Sequence, residues 1–154
     1  MVSQDNGIDL VAYDGAGQAV LLGEVKSRVG TSEQWAARFR RNLLAHGTLP
    51  RAPFFLIATP ERLYFWKQDD SGATDDPPAF TLDATKEFQP YFDKLQKTPL
   101  GLGEEALELL VLAWLTDIAR RGDLRAKEDH TMRWLSDSGL IAMLERARIE
   151  MHPV

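Results

Sequence analysis

Leu21-Leu22-Gly23-Glu24-Val25-Lys26-Ser27 is the stretch on which the fold and the chemistry of this chain turn. It closes a run dense in Val and Leu, residues 19–27, that reads as a β-strand. Side chains alternate between the two faces of a strand, so Glu24 and Lys26 point the same way, with Val20 and Leu22 ahead of them on that face. A solvent-facing row would be polar at several alternate positions. Here the charges sit at one end of a row that is otherwise apolar.

Residues 7–13 (Gly7-Ile8-Asp9-Leu10-Val11-Ala12-Tyr13) read as a partner strand entered through a glycine. Asp14-Gly15-Ala16-Gly17-Gln18 lies between the two strands and is turn chemistry, because Asp-Gly tolerates the positive φ of hairpin turns. An antiparallel hairpin is therefore expected, with Asp9 set between Ile8 and Leu10. Two carboxylates and one ammonium stand in strands that otherwise read as core, and uncompensated burial of such groups costs several kcal/mol each. A mutual ion pair would compensate, and so would a metal ion with a water-filled opening. Glu-x-Lys on a strand is by itself most often a solvated pair worth a few tenths of a kcal/mol. Its confinement to the end of an apolar face is what favours a site.

Beyond the second strand, Val29-Gly30-Thr31-Ser32 breaks the chain and opens a helix expected over residues 33–46. Thr31 or Ser32 can cap it, Thr31-x-x-Gln34 fits a capping box, and Gly47 is the natural stop. Trp35, Phe39 and Leu43 recur every four residues as the stripe facing the core, while Arg38 and Arg41 share one flank and Arg40 lies on another. Residues 54–59 are an unbroken apolar run of the kind a buried central strand has, and residues 62–67 (Arg-Leu-Tyr-Phe-Trp-Lys) read as one more strand. Strand, strand, helix, strand, strand is an α/β pattern with a mixed sheet. Residues 68–78 read as a solvated acidic loop. Helices are expected over about residues 86–95 and 104–121, then a short one over 140–145, with an edge strand over 146–152. One domain over residues 1–154 is expected, as a core at 7–67 and a mainly helical extension at 84–154.

Gly7-Ile8-Asp9-Leu10, a hairpin, and Gly23-Glu24-Val25-Lys26 together resemble the PD-(D/E)xK nuclease superfamily, as a bacterial-type member with the restriction-endonuclease-like fold. The resemblance covers about residues 7–67, where the order of elements also agrees. It implies a Mg²⁺- or Mn²⁺-dependent endonuclease that hydrolyses phosphodiester bonds in DNA. Asp9 and Glu24 would be the acidic metal ligands, the Val25 carbonyl a main-chain ligand, and Lys26 the residue that positions or activates the attacking water. Gln34 matches a place where some members put a glutamine near the metal. Ser27, Arg28, Arg38, Arg40 and Arg41 are the candidates for nucleic-acid contact, since phosphate binding needs cations and little geometry. Two departures stand out. Ile8 replaces the proline of the motif, and with only eight residues ahead of Asp9 the family's N-terminal helix is absent or replaced, by a C-terminal helix or by the second protomer of a homodimer. The alternative to a nuclease is a catalytically inactive module of the same fold that binds nucleic acid or a protein. A purely structural domain would instead close a Glu24–Lys26 salt bridge.

The net charge is −5, yet from Glu24 to Arg51 six cations (Lys26, Arg28, Arg38, Arg40, Arg41, Arg51) meet two anions. A phosphate backbone responds to such a local patch, because fields act over roughly 8–10 Å at physiological salt. With no cysteine there is no disulfide framework and no thiolate metal site, which fits a cytoplasmic protein. No secretory signal is visible, and the longest apolar run, residues 109–115, falls far short of the ~20 residues that span a bilayer. His46, His130 and His152 lack metal-ligand spacing. Trp35, Trp114 and Trp134 read as core, Trp66 is open, and Glu104, Glu105 and Glu108 read as the acidic first turn of a helix.

Overall fold

A computed structural model describes residues 8–46, 49–68, 74–95 and 102–151. Six strands, β1 (Leu10–Tyr13), β2 (Ala19–Val25), β3 (Phe54–Ala58), β4 (Arg62–Lys67), β5 (Phe80–Asp83) and β6 (Arg148–Met151), form one mixed sheet in the order β5-β4-β3-β2-β1-β6. Among the described residues the helices are α1 (Glu33–His46), α2 (Ala84–Leu95), α3 (Glu104–Glu128), α4 (Arg133–Asp137) and α5 (Leu140–Glu145), with a 3-10 turn at His130–Met132. The chain is thus α/β, a mixed sheet flanked by helices with a helical C-terminal half. The expected helix stop at Gly47, the strand entry at Gly7 and His152 lie outside the described residues.

The hairpin forms where turn chemistry put it. Asp14 Oδ1 accepts from the backbone N–H groups of Ala16 and Gln18, both at 2.9 Å, and Gly17 takes φ +81°. β1 and β2 pair antiparallel, Leu10 opposite Gly23, but Ala12 pairs with Leu21 and Tyr13 with Ala19. Val20 is the extra residue of a bulge, and a bulge breaks alternation. Val20 accordingly packs with Leu10, Leu21 and Val25 rather than on the face of Leu22 that plain alternation predicts.

β2 runs through α1 into β3, which lies parallel to it, as a parallel pair requires a crossover. Ser32 caps α1, its Oγ accepting from Trp35 N at 3.0 Å, while the Thr31 hydroxyl bonds to that of Tyr64 at 2.7 Å. α1 buries Ala36, Ala37 and Arg40. The two alanines let the helix settle onto the sheet, and Trp35, Phe39 and Leu43 are left half-buried along its margin instead of forming the innermost stripe.

Each face of the sheet has its own core. Ile8, Val11, Leu22, Phe55, Ile57, Tyr64 and Trp66 lie under α1. On the other face Leu10, Leu21, Val25, Phe54, Leu56 and Phe65 meet Phe88, Leu107, Val111, Trp114, Ile118 and Ile141 from the helices that follow β5. Cover on both sides is why β3 reads as a continuous apolar run. The C-terminal half also supplies β6, which pairs with β1 at the sheet edge, Leu10 opposite Met151. α3 runs on past the expected end to Glu128 because Gly122 does not stop it. A Cβ there would come within 2.6 Å of Ile141 Cδ1, so this glycine makes room for α5. β5 was not anticipated; it follows directly on the acidic loop, and its pairing with β4 at the sheet edge is what defines it.

Candidate active site

Asp9 extends the hairpin ladder by one bond beyond β1, its N–H donating to the Gly23 carbonyl at 3.0 Å. That register places it across from Glu24, on the face covered by α1. Asp9 Oδ2 accepts from Val25 N at 2.7 Å, and the Asp9 carboxyl is near enough to that of Glu24 to act on its protonation. Glu24 is only 3% exposed. Burial pushes its carboxyl up to about 10, the hydrogen bond to Asp9 and the Asp9 charge push the same way, and Lys26 opposes them in part. Two carboxyl groups in contact cannot both be ionised without a cation between or beside them. In the absence of one, the pair holds a proton.

Lys26 follows on the same face, its N–H tied to the Ala58 carbonyl at 2.9 Å. Its side chain is half-buried, with Nζ 5.4 Å from the centroid of the Phe39 ring. Among the described residues it makes no ion pair with Glu24 or Asp9. The closed Glu24–Lys26 salt bridge of a purely structural reading does not form.

The remaining candidates divide. Ser27 is exposed, and its hydroxyl donates to the Leu102 carbonyl at 2.6 Å, fastening the end of β2 to the segment ahead of α3. Arg28 is exposed, with its guanidinium 5.6 Å from the Trp35 ring centroid, and Arg38 is exposed on α1. Arg41 pairs with Asp75 at 2.8 Å. Arg40 is 3% exposed, donates to Gln68 Oε1 at 2.9 Å and lies over the rings of Phe55 and Trp66, so its guanidinium is built into the core. Gln34 is exposed on the first turn of α1, and the cap it was expected to share is made by Ser32.

One acidic residue near the pair was expected only as part of the acidic first turn of a helix, a turn that holds Glu104 and Glu105 alone. Glu108, in the second turn of α3, is half-buried, and its carboxyl is raised by burial, then by the charges of Asp9, Glu104 and Glu105, with Lys26 opposing. α3 therefore brings a further carboxyl into the field of Asp9 and Lys26 from the C-terminal half. Nothing local marks it, since the Ser27–Leu102 contact that seats α3 joins residues far apart in sequence.

A cleft of about 770 Å³ lies elsewhere, lined by Tyr13, Gln18, Arg40, Leu49, Arg51 and Gln68 among others. It opens at the start of β2 and β3, whereas Glu24 and Lys26 stand at their other end, so this cleft and the paired carboxylates are separate features. Among the described residues no group of three acidic or histidine side chains converges on one point to hold an ion. The donors at hand are the two carboxyl groups of Asp9 and Glu24, with the Val25 carbonyl next in sequence. That set suits a small hard cation, which takes oxygen ligands, few carboxylates and several retained waters. Comparison with protein-family models, with curated proteins and with solved structures finds no match for this chain.

Proposed function

We propose that Asp9, Glu24 and Lys26 form a Mg²⁺- or Mn²⁺-dependent site for phosphodiester hydrolysis in nucleic acid, DNA foremost. The observation that carries this reading is the buried contact between the Glu24 and Asp9 carboxyl groups, with an ammonium that neither of them neutralises two residues along. A fold that needed only stability would have paired Glu24 with Lys26. Asp9 and Glu24 would hold the ion with the Val25 carbonyl. Once bound, such an ion stabilises charge on a phosphoryl oxygen and acidifies a coordinated water. Lys26 orients that water and steadies the charge that develops, a role for which an ammonium outside any salt bridge is suited. The exposed Arg28 and Arg38 hold the phosphate backbone. Arg40 serves the core and Arg41 is engaged by Asp75.

Cleavage of supercoiled plasmid with Mg²⁺, Mn²⁺ or EDTA, run with Lys26→Ala beside the parent, tests the assignment. Nicking should require the metal and fall by about 100-fold in the variant, the size of loss that follows removal of one electrostatic stabiliser. Circular dichroism should be unchanged, because the Lys26 side chain contributes only its ring contact to the fold. A folded Lys26→Ala protein that cuts at the parent rate rules the assignment out.

A further inference from the structure

The half-buried aromatics of α1 are each faced by a cation from the segment that follows Glu24. Trp35 and Phe39 stand one helical turn apart with ring centroids separated by 5.4 Å. Tyr64 backs Trp35 from the sheet at 6.4 Å, so the indole is packed on its inner side. On the other side the Arg28 guanidinium lies 5.6 Å from the Trp35 centroid, and Lys26 Nζ lies 5.4 Å from that of Phe39. Arg38, three residues after Trp35, shares this side of the helix and is exposed. Two acidic side chains bonded around this surface, Glu33 on α1 itself and Glu61 against Gly30, are turned to other uses. Glu33 accepts from the Thr81 hydroxyl, and Glu61 Oε1 accepts from Gly30 N at 2.8 Å.

A core-forming role accounts for the packing of Trp35 on Tyr64 and leaves unexplained why the exposed Arg28 guanidinium is set over its ring. An indole flanked by a guanidinium, with further cations a turn away, is the chemistry that stacks a nucleobase and holds its phosphates. Stacking of this kind is indifferent to sequence, because every base has a π-face. It does discriminate by strandedness, since the faces of a paired base are already covered by its neighbours in the duplex. We infer that Arg28, Trp35, Arg38 and Phe39 form a stacking platform for single-stranded nucleic acid, leading an unpaired strand to Asp9 and Glu24. The inference rests on the proposed function for its orientation towards the carboxylates, and on its own geometry for binding.

Fluorescence anisotropy tests it in EDTA, where no cleavage occurs, with a fluorescein-labelled single-stranded DNA of about twelve nucleotides, the same sequence as RNA, and the DNA duplex. Single-stranded DNA should bind at least about tenfold tighter than duplex. Arg28→Ala and Trp35→Leu should each weaken it by about five- to tenfold, the range of one base–aromatic stack. Arg28 is exposed and outside the core, so its variant keeps the test valid should Trp35→Leu fold poorly. Arg148→Ala removes a cation stacked on Tyr13 at the sheet edge and should leave affinity unchanged. Equal binding of RNA also supports the platform, as bases stack whatever the sugar. Equal binding of duplex, or an unaltered Arg28→Ala, overturns it even if metal-dependent nicking is found. Tight, Arg28-dependent binding of single strands by a protein that never cleaves would keep the platform and remove the nuclease.

Discussion

Glu24 and Glu87 are both sunk in the protein, 3% and 7% exposed, in opposite company. Glu87, on the first turn of α2, accepts from the Trp114 indole N–H at 2.9 Å and is bridged by Arg125 at 2.8 Å. Its charge is matched by a cation of the chain, and the cluster clamps α2 to α3. Glu24 faces Asp9 instead, while the Lys26 ammonium lies against Phe39. Depth is the same in the two places, so depth does not mark a functional acid. The sign of the neighbours does, because a carboxylate with its own arginine needs nothing from outside, and one facing a second carboxylate has room for a proton or an external cation.

The largest expected effect is on the structural side of this comparison. Glu87→Ala leaves the Arg125 guanidinium and the Trp114 N–H without their acceptor and should cost about 3 kcal/mol in urea unfolding. A loss below about 1 kcal/mol would mean that water replaces the carboxylate, and the contrast with Glu24 would lose its force. At Glu24 the sign should reverse. Its carboxyl is held well above its ordinary value, so the folded protein keeps a proton that the unfolded chain releases. The stability from this group is whole below about pH 4.5 and falls as pH rises towards about 10. Glutamine copies the protonated carboxyl and cannot ionise. In EDTA, Glu24→Gln should match the parent at pH 5 and melt at least about 3 °C higher at pH 8, which is roughly 1 kcal/mol for a domain of this size. If the gap does not widen between those pH values, Glu24 is not the strained group.

Much of this contrast was readable in the sequence at Glu24 and none of it at Glu87. Strand alternation, the Asp-Gly turn and the apolar run of β3 are short-range signals, and they sufficed to put Glu24 and Lys26 on one face of a strand and Asp9 in the strand paired with it. Glu87 has no such signature, because its partners Trp114 and Arg125 reach it only once α3 folds back over α2. The same holds for β6, whose place beside β1 is fixed by pairing between the two ends of the chain. Alternation also misled in one place. The bulge opposite Ala12 and Tyr13 turned Val20 to the far core, although Glu24, four residues on, kept the face expected for it. Arg40 shows the opposite limit, since a guanidinium can be buried over Phe55 and Trp66 in a way that no charge count reveals.

Glu108 offers the finest test, because it belongs to the C-terminal half yet lies in the field of Asp9. Charges several ångströms apart near a protein surface interact by under about 1 kcal/mol after screening. Removing one of them should therefore weaken a cation held by Asp9 and Glu24 without displacing it. In calorimetric titrations with Mn²⁺ at constant pH, Glu108→Gln should bind about threefold more weakly than the parent, and Glu24→Gln should not bind measurably. Glu145→Gln, an exposed acid at the end of α5, should match the parent. A Glu108→Gln protein with parental affinity would confine the site to the hairpin and make α3 mere cover. The graded loss would show that the site depends on how the two halves of the chain are packed.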